Sequence, residues 1–416
     1  MSTDFLKKYD ITYNKGIREK VISADGIKIF TEEGKIYYNF NEITVSLGYN
    51  NQHFINRLKK VLDTGIYSPV KGFNALKEDL YKKLINLTNK EYDKIFLSTS
   101  GSESIEWAVR IARNYTNKGT VVAFKGSLHG RTYMAATLSG IDRRKKGMGI
   151  EAPEIIHAPY PNCARCFKNL DFNNCSYECI DNIDEILDLN EKDEVAAVII
   201  EPFTGSTGIV FPPKGYLELL KKWARKKGAI LIFDEIQTAI GKTGKMFGYG
   251  DSGVIPDILV LGKGFGNGMH ISALMTKKKF MENMNGSIMA GGTGSNPICI
   301  EAANAVLDII EDDNYLEKVS LIDEYMISKL EELKNKYEII DNFRGLGTVF
   351  GIEFVYDKKD REPNEFIVKK IVKESLDLGI ILGSYKNILF FRPPLCVTIK
   401  ESKMFIENIE KILLKS

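Results

Sequence analysis

Short apolar runs alternate with amphipathic segments through the middle of the chain. The apolar runs lie at residues 94–97, 120–124, 195–200, 229–233, 258–261 and 271–275. Each is apolar on both faces and too short for a helix, which is typical of a strand buried inside a sheet. The segments at 102–116 and 214–227 have apolar residues at helical spacing. Strands and helices in alternation predict an α/β fold with a mostly parallel central sheet flanked by helices.

The two ends of the chain have a different pattern. Residues 27–38 predict a small hairpin that turns at Glu33 and Gly34, and residues 347–354 predict a strand. Thr398 and Glu401 have the spacing of a capping box that starts a final helix. We interpret both ends as one smaller α+β domain. It comprises residues 1–50 and 306–416, beside a large domain of residues 51–305.

Composition and charge exclude several classes of protein. The 416 residues are 44% hydrophobic and 27% charged, ordinary values for a soluble globular protein with a large core. A net charge of +2 gives no reason to expect nucleic acid or a membrane as partner. No apolar run approaches the roughly 18 residues of a membrane span. Residues 1–10 lack the apolar region of a signal peptide, so we expect a cytoplasmic protein.

Polar clusters follow five of the predicted strands, at residues 98–103, 125–131, 201–205, 234–235 and 262–263. Ligands of open parallel sheets bind outside the carboxyl ends of the strands, so five such clusters predict one site. Ser100 and Glu103 have capping-box spacing, which indicates a helix start. The same geometry would leave the amides of Gly101 and Ser102 free to bind a phosphate. The cap and the phosphate site are compatible with each other.

Lys263 and Asp234 have complementary chemistry. Each follows an apolar run, and Lys263 also precedes a glycine-rich turn. A single lysine is more often a surface residue, and a buried aspartate more often forms a structural ion pair, since burial without a partner is costly. Together they are what a pyridoxal phosphate (PLP) site requires. The amine holds the aldehyde as a Schiff base, and the carboxylate keeps the pyridine nitrogen protonated so that the ring can accept electrons.

Histidine and cysteine give weaker signals. His129 is one of four histidines, and we assign it to support of a site residue from behind or to packing on the phosphate side, rather than to proton transfer. Cys163, Cys166, Cys175 and Cys179 have a spacing that could hold zinc or an iron–sulfur cluster. That spacing does not match a common zinc finger, so we predict that no metal is bound and that these four thiols are reduced loop residues. The alternative is that all four are metal ligands.

The motifs around Lys263 and Asp234 resemble those of the class III aminotransferases, which are PLP enzymes of fold type I. The match consists of the Leu-Ile-Phe-Asp-Glu-Ile-Gln stretch, the spacing to Asp257 and the pair Gly262–Lys263. The similarity covers nearly the whole chain, from residue 34 to residue 395. It implies Lys263 as the Schiff-base lysine and proton shuttle, Asp234 on the pyridine nitrogen and Gln237 near the ring oxygen.

The resemblance also implies the remaining parts of the site. Gly101 and Ser102 would hold the phosphate, and Glu201 would be the acidic residue near the substrate. The substrates would be a small-molecule amino donor and a 2-oxo acid acceptor. Members of the family are typically homodimers with sites at the subunit interface, where a threonine of the partner subunit binds the phosphate.

Two cofactor positions depart from the family pattern. An aromatic residue usually stacks on the ring before His-Gly-Arg, and here Leu128 holds that position. An aliphatic side chain keeps the burial but loses the stacking. Thr293 has one residue fewer before Asn-Pro than the family threonine, and the resemblance implies it as the phosphate ligand despite this difference.

The largest departure concerns the substrate. Many members carry Arg-x-x-Pro-Pro, whose arginine binds the α-carboxylate and swings against the residue equivalent to Glu201. Here Phe390 holds that position, and an arginine follows at Arg392. Residues i and i+2 share a face of a strand, so Arg392 could reach the pocket from a position two residues further along the strand. Alternatively, the pocket has no arginine for the α-carboxylate, and Glu201 is free to bind an amine.

Two enzyme activities fit these residues. The first is a PLP-dependent aminotransferase that moves an amino group from an (ω-)amino acid or amine to a 2-oxo acid through Lys263. The alternative is an amino-acid racemase or epimerase, in which the same lysine is used but the proton returns to the other face of the carbon. Segment 159–163 resembles a subgroup that contains both activities, and the motifs do not separate them. Intact Lys263 and Asp234 disfavour a non-catalytic protein.

Overall fold

Three sheets and eleven helices make up the part of the chain that the computed structural model describes, residues 16–69, 74–171, 174–250, 252–282, 284 and 293–415. The strands are β1 Val21–Asp25, β2 Lys28–Thr31, β3 Ile36–Asn39, β4 Lys94–Ser98, β5 Thr120–Phe124, β6 Ile155–Ala158, β7 Val195–Ile200, β8 Ile230–Asp234, β9 Ile258–Leu261, β10 Ser272–Thr276, β11 Ile340–Leu346, β12 Val349–Phe354, β13 Ile380–Ile381, β14 Gly383–Tyr385 and β15 Ile388–Phe391. The α-helices are α1 Gln52–Asp63, α2 Ala75–Leu87, α3 Gly101–Thr116, α4 Tyr133–Leu138, α5 Asp142–Lys145, α6 Glu178–Leu189, α7 Tyr216–Lys227, α8 Pro297–Asp312, α9 Tyr315–Lys336, α10 Glu365–Asp377 and α11 Ile399–Leu413. None of these helices has both the length and the apolar character to cross a membrane.

The central sheet has seven strands in the order β4-β10-β9-β8-β7-β5-β6. Pairing is parallel from β9 through β6, and only β10 runs against its two neighbours. All six predicted strands are present, and the α/β fold of PLP fold type I is confirmed. The strand that the sequence pattern missed is β6, whose first three residues are only half-buried at the sheet edge.

Helices cover both faces of this sheet, which explains why its strands are apolar throughout. Side chains alternate between faces along a strand. Ala197 and Ile199 of β7 pack with Ile105 of α3, whereas Val198 and Ile200 pack in a second core with Leu220 of α7. The sheet therefore lies between two apolar layers, and only the strand ends are left for polar chemistry.

The two chain ends meet in separate small sheets. The predicted hairpin is β2–β3, and β3 pairs in parallel with β13 from the other end of the chain. An antiparallel sheet, β11-β12-β15-β14, contains the strand predicted near residue 350. Thr398 and Glu401 form the predicted capping box with both hydrogen bonds, at 3.2 and 2.9 Å. The domain boundaries after residues 50 and 305 stay predictions.

Candidate active site

Loops at the ends of adjacent strands bring the predicted polar residues together. The amide N–H of Leu128, after β5, donates to Oε1 of Glu201, after β7, at 2.8 Å. Nδ1 of His129 lies 2.8 Å from Oδ2 of Asp234 at the end of β8. The charges of Glu201 and Asp234 both act on Lys263, which follows β9. The neighbouring strands β7, β8 and β9 thus present Glu201, Asp234 and Lys263 to one site.

Lys263 lies in a strained turn. Its φ of 46° is left-handed, a conformation that a residue other than glycine rarely adopts away from functional sites. A Cβ on Gly264 would lie 2.0 Å from Oγ of Ser46, so the N-terminal segment packs directly on this turn. Nζ of Lys263 makes no hydrogen bond or ion pair with the residues described. The turn therefore presents an amine that has no structural partner.

Burial, together with smaller contributions from the positive charges of Arg392 and Arg131, lowers the pKa of Lys263 to about 7. The carboxylates of Glu201 and Asp234 oppose this shift but do not cancel it. An amine with this pKa is largely uncharged just above neutral pH. It can therefore act as a nucleophile and as a base where an exposed lysine is protonated.

Reactivity of Lys263 in the cofactor-free enzyme is expected to rise through about pH 7 and to level off above it, because only the deprotonated amine is nucleophilic. Carbamylation by cyanate, followed by mass spectrometry of the Lys263 peptide, measures it. N-acetyl-lysine in the same solution is the control, and its free amine should keep gaining reactivity at higher pH. A Lys263 midpoint at the same pH as that of the free amine would contradict the lowered pKa.

Asp234 is 2% exposed and is held by two donors. The amide N–H of Ile236 donates to Oδ1 at 3.0 Å, and His129 Nδ1 donates to Oδ2 at 2.8 Å. A carboxylate accepts up to about four hydrogen bonds, so capacity remains for a ring N–H. His129 thus contacts a site residue, Asp234, from behind, as in the first of the two roles assigned to it. Its other nitrogen, Nε2, is buried and has no hydrogen-bond partner among the described residues.

Glu201 is fixed by backbone amides on both carboxylate oxygens. Leu128 N–H donates to Oε1 at 2.8 Å, and Gly205 N–H donates to Oε2 at 3.0 Å. Burial, and next the negative charge of Asp234, raise the pKa of Glu201. The side chain is therefore positioned without help from a cation, and its proton occupancy changes closer to neutral pH than that of an exposed glutamate.

Arg392 reaches the same site through the Gly205 peptide. Its Nη1 donates to the Gly205 carbonyl at 2.6 Å, while Nε donates to Oδ1 of Asn41 at 2.6 Å. Its guanidinium also lies 4.3 Å from the centre of the Phe390 ring. Among the described residues Arg392 forms no ion pair with Glu201. A single residue, Gly205, connects the two instead, because its N–H donates to Glu201 and its carbonyl accepts from Arg392.

Phe390 belongs to the core and not to the pocket. It is 1% exposed and packs with Phe203, Ile209, Val349 and Ile388. The position that carries an arginine in many relatives is therefore an apolar packing position here, and Arg392 is the arginine on this side of the site.

The N-terminus of α3 has the features of a phosphate cradle. The first amides of a helix have no acceptor within the helix, and those of this helix belong to Gly101 and Ser102. A Cβ on Gly101 would lie 2.4 Å from Cδ1 of Ile236, so any other residue here would require the Ile236 side chain to move. Oγ of Ser102 accepts from the amide of Arg131 at 3.1 Å. The cradle is thereby fastened to the loop after β5.

Only half of the predicted capping box forms at this helix start. Oγ of Ser100 accepts from the amide of Glu103 at 3.3 Å. The Glu103 carboxylate, however, accepts from the amide and hydroxyl of Thr99, at 3.0 and 2.9 Å. Ser100 caps the helix start, as predicted. The Glu103 carboxylate, however, bonds to Thr99 and not to the backbone of Ser100, one residue away from the capping-box position.

Fewer contacts are defined for the last two predicted cofactor-binding residues, Gln237 and Thr293. Gln237 is 9% exposed, and its Nε2 donates to Oγ of Ser206 at 3.0 Å. Thr293 opens the short 3₁₀ helix Thr293–Ser295, but its side chain lies outside the described residues. The phosphate contact of Thr293 and the ring contacts of Leu128 and Gln237 therefore stay predictions.

A family model for class III aminotransferases matches residues 13–413. The chain belongs to the class III aminotransferase family. A leucine/methionine racemase of Thermococcus litoralis is 30% identical over 94% of this chain and 89% of that protein. An acetylornithine aminotransferase of Caldanaerobacter subterraneus is 31% identical over 98% of each. The omega transaminase of Pseudomonas jessenii in complex with PMP matches with a TM-score of 0.91 at 23% identity, over 100% of this chain and 98% of that one, which shows the fold.

This class III aminotransferase is by family a PLP-dependent transaminase, and its residues fit the cofactor. The cradle of α3 offers unbonded amides to a phosphate, and Asp234 has accepting capacity for a protonated ring nitrogen. The unpartnered amine of Lys263 would hold the aldehyde. These three groups match in kind the phosphate, the ring nitrogen and the aldehyde of pyridoxal phosphate.

Sequence reasoning about this class III aminotransferase missed three contributors. Arg131 lies in a predicted cluster but was not singled out, although its charge acts on Lys263. The Gly205 peptide also lies in a predicted cluster, and its role follows only from tertiary contacts. Asn41, the partner of Arg392, comes from the N-terminal segment and carries no sequence signal.

The four loop cysteines of the class III aminotransferase line one small cavity of about 30 Å³. Burial raises the pKa of the Cys179 thiol to about 12, with smaller contributions from its cysteine neighbours. Within the described ranges, no three His, Cys, Asp or Glu side chains form a group that could hold a metal ion. We therefore do not pursue the alternative in which four cysteines are metal ligands, namely Cys163, Cys166, Cys175 and Cys179.

Proposed function

We propose that the enzyme transfers the amino group of an amino acid or amine donor to a 2-oxo acid, with Lys263 as the catalytic residue. The observation that carries this proposal is the unpartnered Lys263 amine, whose pKa is lowered to about 7 beside buried Asp234 and Glu201. Acid–base groups act best when their pKa lies near the working pH. Lys263 thus has the position and the proton affinity for repeated proton transfer.

Each side chain has a separate task in this proposal. The bound cofactor supplies an aldehyde that takes the amino group and a ring that withdraws electrons from the neighbouring carbon. Nζ of Lys263 would take the proton from that carbon and pass it to the former aldehyde carbon of the cofactor, on the same side of the site. Asp234, held by His129, keeps a negative charge at the ring nitrogen. The amides of Gly101 and Ser102 hold the phosphate.

We assign the substrate carboxylate to Arg392. A guanidinium has five N–H donors, and the contacts to Asn41 and Gly205 use only Nε and Nη1. Nη2 makes no hydrogen bond with the described residues, so it can bind a carboxylate. Burial lowers the pKa of Arg392 to about 10, yet the group stays charged at neutral pH. Glu201, fixed beside it through Gly205, sets the polarity around the donor amine.

Arg392→Ala is expected to weaken donors that carry a carboxylate by about 10- to 100-fold in kcat/KM, because a hydrogen bond to a charged group is lost. Simple amines should lose much less. Steady-state kinetics with an amino acid and its decarboxylated amine measure the difference. Asn41→Ala, which frees Arg392 without removing it, is the matched comparison and should have a smaller effect. An equal loss for both donor classes would remove Arg392 from carboxylate binding.

Racemisation or epimerisation is the second candidate, favoured by the similarity to the racemase of Thermococcus litoralis. Both reactions begin with the same proton removal by Lys263. Purified enzyme and one enantiomer of a donor, without acceptor, distinguish them. Conversion of the cofactor to its amino form with release of a carbonyl product supports transamination. Loss of optical purity with an unchanged cofactor spectrum supports racemisation.

We also propose that the enzyme is a homodimer whose sites lie at the interface. Leu62, Ile66 and Tyr67 expose about half or more of their apolar side chains, at 52%, 44% and 67%. The backbone carbonyl of Tyr67 accepts from Nδ2 of Asn296 at 3.0 Å, which places this apolar surface beside the segment of Thr293. Exposed apolar surface of this kind marks association sites. Light scattering of the purified protein measures the assembly.

A further inference from the structure

Two left-handed residues bound the turn that carries Lys263. The 3₁₀ helix Lys263–Gly266 begins at Lys263, whose φ is 46°, and is followed by Asn267, with φ of 46° and ψ of 45°. Asparagine adopts this conformation more readily than most residues, whereas lysine rarely does. A backbone with this strain keeps its shape only where its surroundings hold it. The contacts that hold the turn therefore bear on where the Lys263 amine lies.

Asn267 joins this turn to the N-terminal segment. Its Oδ1 accepts from the amide N–H of Leu47 at 2.9 Å, and the two residues are buried, with exposures of 7% and 2%. The other hydrogen bonds that residues 263–267 make within the described part of the chain close inside residues 262–269. Asn267 thus supplies the one hydrogen bond, among the residues described, that ties the turn to a distant segment.

The peptide group between Ser46 and Leu47 is a rigid anchor for this hydrogen bond. Its N–H donates to Asn267, and its C=O accepts from the amide N–H of Leu395 at 2.8 Å. A peptide group is planar, so its two ends do not move independently. Leu395 lies three residues after Arg392. The anchor is therefore held from its other side by the segment that carries the arginine of the site.

The side chain of Ser46 contacts the same turn without bonding to it. A Cβ on Gly264 would lie 2.0 Å from Oγ of Ser46, so the two segments are in close contact here. That hydroxyl is buried and has no hydrogen-bond partner among the described residues. Such a contact limits how closely the turn approaches the N-terminal segment but does not keep it from moving away. The directional attraction comes from Asn267.

We propose that Asn267 is a positioning residue for Lys263, because its hydrogen bond to the Ser46–Leu47 peptide holds the strained turn in the shape that keeps Nζ inside the site. This inference deepens the proposed aminotransferase function and rests on it. Without the acceptor, the turn relaxes and a larger fraction of the Lys263 amines points away from the buried carboxylates. Fewer molecules then have the amine in place for proton transfer, which lowers kcat more than it weakens substrate binding.

Asn267→Gly tests this role, since glycine removes the acceptor and still allows the left-handed backbone. In the cofactor-free enzyme, the pH midpoint for carbamylation of Lys263 by cyanate should rise by about one pH unit, because a less buried amine has a pKa nearer to that of a free amine. In the loaded enzyme, kcat should fall about 3- to 10-fold, as for the loss of one hydrogen bond, while KM changes less than about 2-fold.

Two further variants separate positioning from stability. Asn267→Asp keeps an oxygen acceptor and also tolerates the left-handed backbone, so it should recover most of the kcat that glycine loses. Its added charge acts on Lys263, so kcat and not the midpoint is the readout for this variant. Asn364→Gly is the matched control, because Asn364 is also 7% exposed and its Oδ1 accepts from the amide of Ile367 at 3.0 Å. It should lower the melting temperature and leave the Lys263 midpoint unchanged.

The outcomes distinguish this inference from the proposed function. A lower melting temperature in Asn267→Gly, with the midpoint and kcat of the wild type, would make the contact structural only and overturn the inference. An equal midpoint shift in Asn364→Gly, or no recovery in Asn267→Asp, would do the same. A wild-type enzyme without amino transfer would overturn the proposed function, whereas carbamylation of the cofactor-free protein would still decide whether Asn267 positions Lys263.

Discussion

Lys263→Ala is expected to abolish turnover, with a loss of at least about 10⁴-fold in kcat, while the protein stays folded. The variant loses the amine that holds the cofactor and also the base that moves the proton. No other described amine is placed to replace it, because the second buried lysine, Lys242, donates to the carbonyl of Pro393 at 2.7 Å. Kinetics with the best donor, beside circular dichroism and thermal melting, measure the two expectations.

Lys242 supplies the matched control for that variant. It is also buried, and burial lowers its pKa to about 8, but it bonds to backbone and not to the reaction site. Lys242→Met should lower the melting temperature and retain measurable turnover. Lys263→Arg, which keeps the positive charge but is not a nucleophile at neutral pH, should be as inactive as the alanine variant. Activity in Lys263→Arg close to that of the wild type would disprove the assignment of Lys263.

Strands could be predicted from the sequence where both of their faces are buried. Strands β7 and β9 are buried in every residue, as is β8, and all their residues are apolar except Asp234 at the end of β8, so the pattern was easy to recognise. Strand β6 lies at the sheet edge with three half-buried residues, one of them His157, and its mixed composition concealed it. The antiparallel direction of β10 also has no local signal, because a residue buried on both faces is apolar in either direction.

The site was predictable where chemistry forced a rare residue into the core. Asp234, Glu201 and Lys263 each interrupt an apolar segment, and burial of a charge needs a reason. The partners of these residues were not predictable. Asn41 and Arg392 are separated by 351 positions, and the strand pairing of the two chain ends alone brings them together. Such contacts follow from topology and leave no trace in local spacing.

The role of Glu201 illustrates the same limit. Its position after β7 indicated an acidic group near the substrate, and the family resemblance implied an arginine partner. The structure gives it two backbone donors, the N–H groups of Leu128 and Gly205, whereas Arg392 donates to the carbonyl of Gly205. A backbone donor can belong to any residue type. Sequence therefore locates the carboxylate but not what holds it.

Asp234→Asn is expected to lower kcat by about 10²- to 10³-fold, the range for the loss of one preorganised electrostatic contact. Asparagine keeps the volume and can still accept from the amide of Ile236, so the fold should survive. What disappears is the negative charge that keeps the ring nitrogen protonated. The absorbance of the bound cofactor as a function of pH should therefore show ring deprotonation at a lower pH than in the wild type.

Asp257→Asn separates this effect from a general loss of a strand-end aspartate. Asp257 precedes β9, and its Oδ2 accepts from the amide of Leu231 at 3.0 Å, so its role is structural. Its variant should lower the melting temperature without shifting the cofactor titration. His129→Asn should fall between the two, because Asp234 keeps its charge but loses the donor that orients it. An Asp234→Asn enzyme with wild-type kcat and an unshifted titration would mean that some other group protonates the ring.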